Sequence, residues 1–404
     1  MAASARGVAT AVIAGALAGA IATGLMPGAA RAQTSGGYSL APTGPVETVF
    51  DWSRDACVKS HVPDAPARAF RNADGEVRLI ISHNDNRALL GPSLDAVVPS
   101  CAVIYEANRS PKLAAFDDLS WISSVYTGDG RTVYALAHTE LRGERTPGQC
   151  PAGKYSACLL NTVTGLVSRD GGRSFRPEGE GGPPVVATLP YDFPTDRTAR
   201  VGYANPTNII KRDGWYYAFI FADGYRAQKR GACLIRTKNL SDPASWRAWN
   251  GRDFSARFVD PFRDEVTDAD AHTCTPVATR IIGRMIGGLV TLRDSGEVMA
   301  VFGDKRKMPD GRVVEGFFTS TSRDLIEWSE PRLVMAAELL WDKSCDERHA
   351  YFYPSLIDPD AKTFSYEDFG ERGYLYLTRY QLRNCKVTWD RDLVRVPVEL
   401  KRGG

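Results

Sequence analysis

From residue 49 onward the sequence alternates between short apolar runs and Gly- or Asp-centred turns, and no stretch holds the apolar spacing of a long amphipathic helix. Five units can be drawn. The first begins near Pro63, with Ala67–Phe70, an Asn-Ala-Asp-Gly turn at 72–75, Val77–Ser82 and Ala102–Glu106. The second begins near Trp121, with Ile122–Tyr126, the Gly128–Gly130 turn, Thr132–His138 and Thr164–Phe175. The third begins near Tyr203, with Thr207–Ile210, the Asp213-Gly214 turn, Trp215–Phe221 and Ala232–Thr237. The fourth begins near Pro276, with Val277–Ile282, an apolar stretch to Leu292, Val298–Phe302 and Val313–Thr319. The fifth begins near Tyr351, with Ser355–Ile357, a loop from Lys362 to Gly373, Tyr374–Arg379 and Val387–Leu400. Units sharing a strand–turn–strand–strand grammar predict an all-β fold, a five-bladed β-propeller of four-stranded antiparallel sheets. A pair of sandwiches and a six-bladed ring are the alternatives, and the chain is short for six blades of this size.

A second repeat lies inside the first. Gly316–Trp328 runs as a strand into the turn Ser322-Arg-Asp324-Leu-Ile-Glu-Trp328, and Ser168-Arg-Asp170-Gly-Gly-Arg-Ser-Phe175 and Leu234–Trp246 follow the same plan. In each an Asp or Asn closes a turn on its own backbone, and an aromatic residue follows to fill the gap between neighbouring sheets. These aspartates are read as structural.

The first thirty-two residues stand apart. Arg6, the apolar run Val8–Leu25 and Ala30-Arg31-Ala32 have the form of a secretory signal peptide with cleavage before Gln33. Residues 33–48, rich in Gly, Pro and Ser, read as a leader segment and 49–404 as a single propeller domain. Cleavage would remove Arg6 and Arg31, leaving 48 basic and 48 acidic residues. A neutral chain gives no reason to expect nucleic acid or an anionic membrane as partner. All 8 cysteines fall after the signal, as expected for disulfides in a secreted, extracellular or periplasmic protein. Cys150 with Cys158 is the local pairing expected. The rival reading, a zinc site, lacks any Cys-x-x-Cys or clustered His.

The stretch from Ser322 to Trp328, the Asp-Gly-Trp-Tyr-Tyr run at 213–217 and Asp64 ahead of the first strand together resemble the five-bladed propeller glycosidases of the arabinanase, xylosidase and invertase type. The segment from Ser168 to Phe175 is similar to the Asp-box of sialidase-like propellers. The resemblance implies a carbohydrate site at one end of a central channel, formed just before the inner strands and at the exits of the second strands. At those positions stand Asp64 and Arg68; His83, Asp85 and Arg87; Trp121, His138 and Glu140; Asn205; His272; Glu347, His349, Tyr351 and Tyr353; and Arg379. Asp223 and Asp304 also fall at such exits and are read as turn residues.

Glycoside cleavage asks for two carboxyl groups across the sugar, one ionised and one protonated. The expected pair is Asp64, held ionised by Arg68 or Arg87, and Glu140 as the acid, with Glu347 and Asp85 as the pair in reserve. Trp121, Tyr351 and Tyr353 would stack on the sugar. Each residue has a plainer reading: Asp64 as a turn residue, Glu140 in a rim ion pair with Arg142, His83 and His138 as hydrogen-bonded structural histidines. Asn205 departs from the pattern, since the glycosidases usually carry a pKa-tuning Asp there and an amide bears no charge. No cofactor is called for, and a structural cation in the channel is compatible with the fold. The expectation is a secreted glycoside hydrolase acting on a poly- or oligosaccharide. The alternatives are a sialidase-like hydrolase, with Arg68, Arg87 and Arg379 converging beside Tyr353 as nucleophile, and a propeller that binds glycans or proteins without catalysis.

Overall fold

The computed structural model describes residues 37–146, 148–150, 158–178, 182–193, 199–344 and 348–403. The expected signal peptide and its cleavage site, Cys345 and Glu347 lie outside them. The described strands form five four-stranded antiparallel blades. Blade 1 is Arg68–Arg71, Val77–Ile81, Asp85–Gly91 and Val98–Pro99; blade 2 is Leu119–Tyr126, Val133–Arg142, Leu159–Ser168 and Val185–Ala187. Blade 3 has an inner strand in two pieces, Val201–Ala204 and Ile210–Arg212, then Trp215–Asp223, Gly231–Thr237 and Arg247–Ala248. Blade 4 is Ile286–Leu292, Val298–Lys307, Val313–Ser322 and Arg332–Ala336. Blade 5 is His349–Ile357, Arg372–Arg383 and Lys386–Arg402, and its outer strand comes from the other end of the chain: Tyr38–Pro42 pairs with Lys386–Arg402 from Tyr38↔Arg402 to Pro42↔Val398. That strand lies in the stretch expected to be a leader. It closes the ring by hydrogen bonds between distant parts of the chain.

The near-continuous apolar runs follow from the ring. Successive side chains of a strand point to opposite faces, and here each face meets another blade. Leu79 packs between blades 5 and 1 and Ile80 between blades 1 and 2; Phe318 packs between blades 3 and 4 and Phe317 between blades 4 and 5. Ile235, with Trp246, packs between blades 2 and 3. The aromatic of each turn repeat sits in the gap before its own blade: Phe175 between blades 1 and 2, Trp246 between 2 and 3, Trp328 between 3 and 4. The turn aspartates act locally. Asp324 accepts from the backbone of Ile326 and Glu327, and Asp170 from the backbone and hydroxyl of Ser174.

Three strand assignments shift. Thr207 to Ile209 fall in the irregular gap between the two pieces of the blade 3 inner strand. Val277–Ile282 is not the inner strand of blade 4; a turn on Ala278 occupies it, with Val277 and Ile282 buried between blades, and the strand starts at Ile286. In blade 1 the third strand is Asp85–Gly91, which places Asp85 and Arg87 within a strand rather than at a second-strand exit. Ahead of blade 4 the apolar residues run on across the turn, so periodicity does not mark the break, and in blade 1 the third strand opens on the polar residues Asp85, Asn86 and Arg87, which read as a turn.

The inner strands run in one direction around the channel, and its two ends differ. Where they finish, residues 361–369 fold under the ring: Phe364 accepts from Arg71, Ser365 bonds Thr127, Glu367 accepts from the backbone of Lys211 through its carboxylate and of Thr291 through its carbonyl. Within the channel stands Arg68, 3% exposed. It donates to the carbonyls of Ser123 at 2.6 Å and Gly287 at 2.7 Å, with longer contacts to Pro206 and Ala67. Inner strands of blades 1 to 4 are thereby tied to one guanidinium. Burial draws its pKa down to about 9, which leaves it charged at neutral pH.

Disulfides join Cys57 to Cys101, Cys150 to Cys158, as expected, and Cys233 to Cys274; Cys385 is disulfide-bonded as well. Among the described residues no helix is long and apolar enough to cross a membrane, and no group of three or more His, Cys, Asp or Glu is arranged for a metal.

Candidate functional site

At the end where the inner strands begin, a cavity of about 120 Å³, open to solvent, is lined from blades 2 to 5. Strand geometry explains the lining. Val133–Arg142 and Trp215–Asp223 run toward this end and deliver His138 with Glu140, and Phe221 with Asp223. Asn205 lies between the two pieces of the blade 3 inner strand and Tyr353 within the blade 5 inner strand, both at positive φ (46° and 55°), so each bends its strand at the mouth. The connection from blade 4 to blade 5 supplies Trp341 and Asp342, and Arg284 comes from the segment ahead of blade 4.

Four carboxyl groups belong to this region: Glu140, Asp223 and Asp342, which is paired with Arg284 at 2.7 Å, line the cavity, and Asp64 lies beside it. Asp64, ahead of the blade 1 inner strand, accepts from Arg391 at 2.6 Å and from the Tyr380 hydroxyl at 3.1 Å; His83 Nε2 lies 3.9 Å from its other oxygen. Glu140 is paired with Arg142 at 3.1 Å. Asp223 is buried, between Arg200 at 3.3 Å and Arg230 at 3.9 Å. Burial pushes the Asp223 carboxyl up, against the opposing pull of Arg200, Arg230 and His138. The Tyr353 hydroxyl is pushed far up by burial and then by the charge of Asp64, with Glu140 adding to it and Arg391 and Arg200 opposing. Asp64 and Glu140, on neighbouring blades, thus both act electrostatically on one phenol in the cavity wall.

Trp121 links the two sides. Its ring centroid is 5.9 Å from His83 and 5.7 Å from His138, whose Nε2 is 3.1 Å from Asn161. Trp389 approaches His83 from the opposite strand pair at 5.7 Å and lies beside Arg391.

Other expected residues lie elsewhere. Arg68 is enclosed in the channel and bound to carbonyls, so Arg391, not Arg68 or Arg87, holds Asp64. Arg87 pairs with Asp85 and the carbonyl of Cys101. Burial raises the Asp85 carboxyl, but hydrogen bonds from His83, Arg87 and Ser60 bring it down to about 2. Arg379 is bound to Asp392 at 2.8 Å, so the three arginines expected to converge have separate partners. Tyr351 packs against the core between blades 4 and 5. His272 Nδ1 donates to the Arg257 carbonyl at 2.7 Å on a short 3-10 turn, and His349 opens the blade 5 inner strand opposite Gln381; neither lines the cavity. Glu347 lies outside the described residues.

Sequence reasoning passed over Asp223, taken as a turn residue, although it holds the same place at a second-strand exit as Glu140 does. Asp304, read the same way, is bound to Arg284 and Arg306. Arg200, Arg230, Arg284 and Trp341 lie in irregular connections, where no periodicity marks them.

No protein-family model matches this sequence, and no curated protein matches it. Similar solved structures are glycoside hydrolases. An α-L-arabinanase of Cellvibrio cellulosa, complexed with arabinohexaose, is 12% identical over 81% of this chain and 91% of its own, with a TM-score of 0.40. A GH43_1 enzyme from Xanthomonas citri, complexed with xylotriose, is 14% identical over 83% and 88%, with a TM-score of 0.44. An α-L-arabinofuranosidase of Podospora anserina, in complex with cellotriose, is 8% identical over 90% and 97%, with a TM-score of 0.41. The ring of five blades stands on the chain's own strand pairing and interblade packing.

Proposed function

We propose that the chain is an exported glycoside hydrolase that cleaves a poly- or oligosaccharide at the open end of the channel. The observation that carries the reading is the set of carboxyl groups at one open cavity: Glu140 and Asp223 line it, and Asp64, bound to Arg391 and Tyr380, lies close enough to act on the Tyr353 phenol in its wall. Glycoside hydrolysis requires two carboxyl groups about the scissile bond. Asp64 suits the ionised partner, base or nucleophile, because Arg391 and Tyr380 both bond its anion. Glu140, half-buried in the wall and paired with Arg142, would be the second carboxyl group of the pair. Asp223 lines the same cavity, and burial pushes it toward the protonated form that a general acid needs. It supplies a carboxyl group on the blade where Asn205 has none. Asp85, held down at about 2, does not suit a proton donor. Trp341 and Phe352 offer aromatic faces to a sugar. The disulfides accord with export, the role expected of residues 1–32.

One observation favours a second reading, a propeller that binds glycans without cleaving them: Asp64, Glu140 and Asp223 all have guanidinium partners already. One experiment separates the two. The parent, Asp64→Asn and Glu140→Gln are assayed for release of reducing ends from a panel of arabino-, xylo- and uronate-containing oligosaccharides. The hydrolase reading expects turnover by the parent and a loss of about a hundredfold or more in each variant with the fold intact. Binding by the parent with no cleavage of any member decides for the second reading, and amide variants at the parent rate remove the proposed pair.

A further inference from the structure

We propose that the cavity recognises an acidic sugar, a hexuronate whose carboxylate is taken by Arg200 and Arg230; the inference rests on the carbohydrate reading above and names the substrate class. These two arginines are placed unlike the others around the site. Both approach the single carboxylate of Asp223 by their Nε edges, at 3.3 and 3.9 Å, from opposite oxygens. Each also has a face over an aromatic ring, Arg200 over Trp341 at 5.7 Å and Arg230 over Phe221 at 5.1 Å. Among the described residues neither makes a hydrogen bond to the protein, and their side chains are 50% and 66% exposed at the cavity.

Two guanidinium groups on one carboxylate leave a positive charge uncompensated, and the burial that pushes Asp223 up weakens even that compensation. Both side chains line the cavity and are half exposed or more, and no hydrogen bond to the protein occupies their terminal nitrogens among the described residues. A planar carboxylate fits such forks through paired, charge-assisted bonds, whereas a neutral sugar hydroxyl gains little from them. Beside them Trp341, 59% exposed, presents the flat surface a pyranose ring stacks upon. Arg284 differs: it is bound to both Asp304 and Asp342, and so it walls the cavity without an unmatched charge.

The test measures binding by calorimetry in the full chain carrying Asp64→Asn, so that cleavage does not consume the probe. Two matched pairs are used: tetragalacturonate against its methyl ester, and glucuronate-substituted against unsubstituted xylo-oligosaccharide. In at least one pair the acidic member should bind about tenfold or more tighter, as expected for hydrogen bonds to a charged group. The preference should shrink as salt rises, since the arginines are half exposed. Arg200→Lys with Arg230→Lys keeps a charge beside Asp223 but removes the forks, and should abolish most of the preference; Arg173→Lys, on the far turn of blade 2, should not. Equal affinity within both pairs, or an acidic preference untouched by the lysine pair, overturns the inference. Cleavage of neutral oligosaccharides by the parent, insensitive to Arg200 and Arg230, would leave the hydrolase reading standing and remove this one. Acidic preference without turnover by the parent would do the reverse.

Discussion

Replacing Arg68 by Met tests whether one buried guanidinium ties the inner strands together. The stem is kept and the donors are lost. Four carbonyls surround the guanidinium, of which those of Ser123 and Gly287 receive the short bonds, at 2.6 and 2.7 Å. A buried acceptor left without a donor costs about 1–3 kcal/mol, so the two together come to about 2–6 kcal/mol. The desolvation of the guanidinium, seen in a pKa drawn down to about 9, runs the other way, because Met carries no charge to bury. The expected loss is therefore in the lower half of that range, about 2–4 kcal/mol. Urea unfolding is the assay, read as a lower midpoint at an unchanged slope. Arg68→Lys should recover only part of the loss, since one ammonium cannot reproduce a planar fork that spans strands of different blades. A Met variant within about 1 kcal/mol of the parent, less than one orphaned acceptor, would refute the reasoning.

Asp324→Ala should lower stability by about 1 kcal/mol, the worth of its turn bonds to Ile326 and Glu327, and leave turnover of the folded protein unchanged; lost turnover at full stability would contradict a purely structural turn. Burial, then the charge of Asp368, pushes the Glu367 carboxyl up to about 7, against the backbone bond and charge of Lys211 and the Tyr126 hydroxyl. The folded state then holds a proton that the unfolded chain gives up, so stability from this group is full below the ordinary pKa of 4.5 and declines as pH rises through 7. Glu367→Gln should flatten the fall in urea midpoint between those two values, and an unchanged slope would exclude Glu367 as its source. Mass spectrometry of the exported protein should find a start at or near Gln33 and no titratable thiol; eight free thiols would remove the oxidised framework described here.

What could be read along the chain is what short-range physics writes there. Strands such as Phe317–Ser320 were legible because both of their faces are buried between blades, which demands apolar residues at successive positions. The turns at Asp170 and Asp324 were legible because their hydrogen bonds span only two to four residues, and the aromatic that follows each was legible as a plug for the next gap. The same continuity concealed the break at Ala278, while the strand at Asp85 was concealed by its polar opening residues, which read as part of the turn before it.

The candidate site was legible only in part. Asp64, His138, Glu140, Asn205 and Tyr353 could be named because the repeat fixes which strand ends face the mouth. Their partners could not. Arg391 lies 327 residues from Asp64, and Tyr38–Pro42 joins the strand at the opposite end of the chain. Whether Arg68 faced a substrate or the carbonyls of the channel depended on where three other blades placed their inner strands. Arg200 and Arg230 reach Asp223 from irregular loops that carry no period at all. The sequence by itself determined the strands, the turns and the faces to be buried, because those follow from neighbours a few residues apart. Closure of the ring, the partner of each charge and the contents of the channel were decided by tertiary structure, because they depend on distances between segments that no local pattern records.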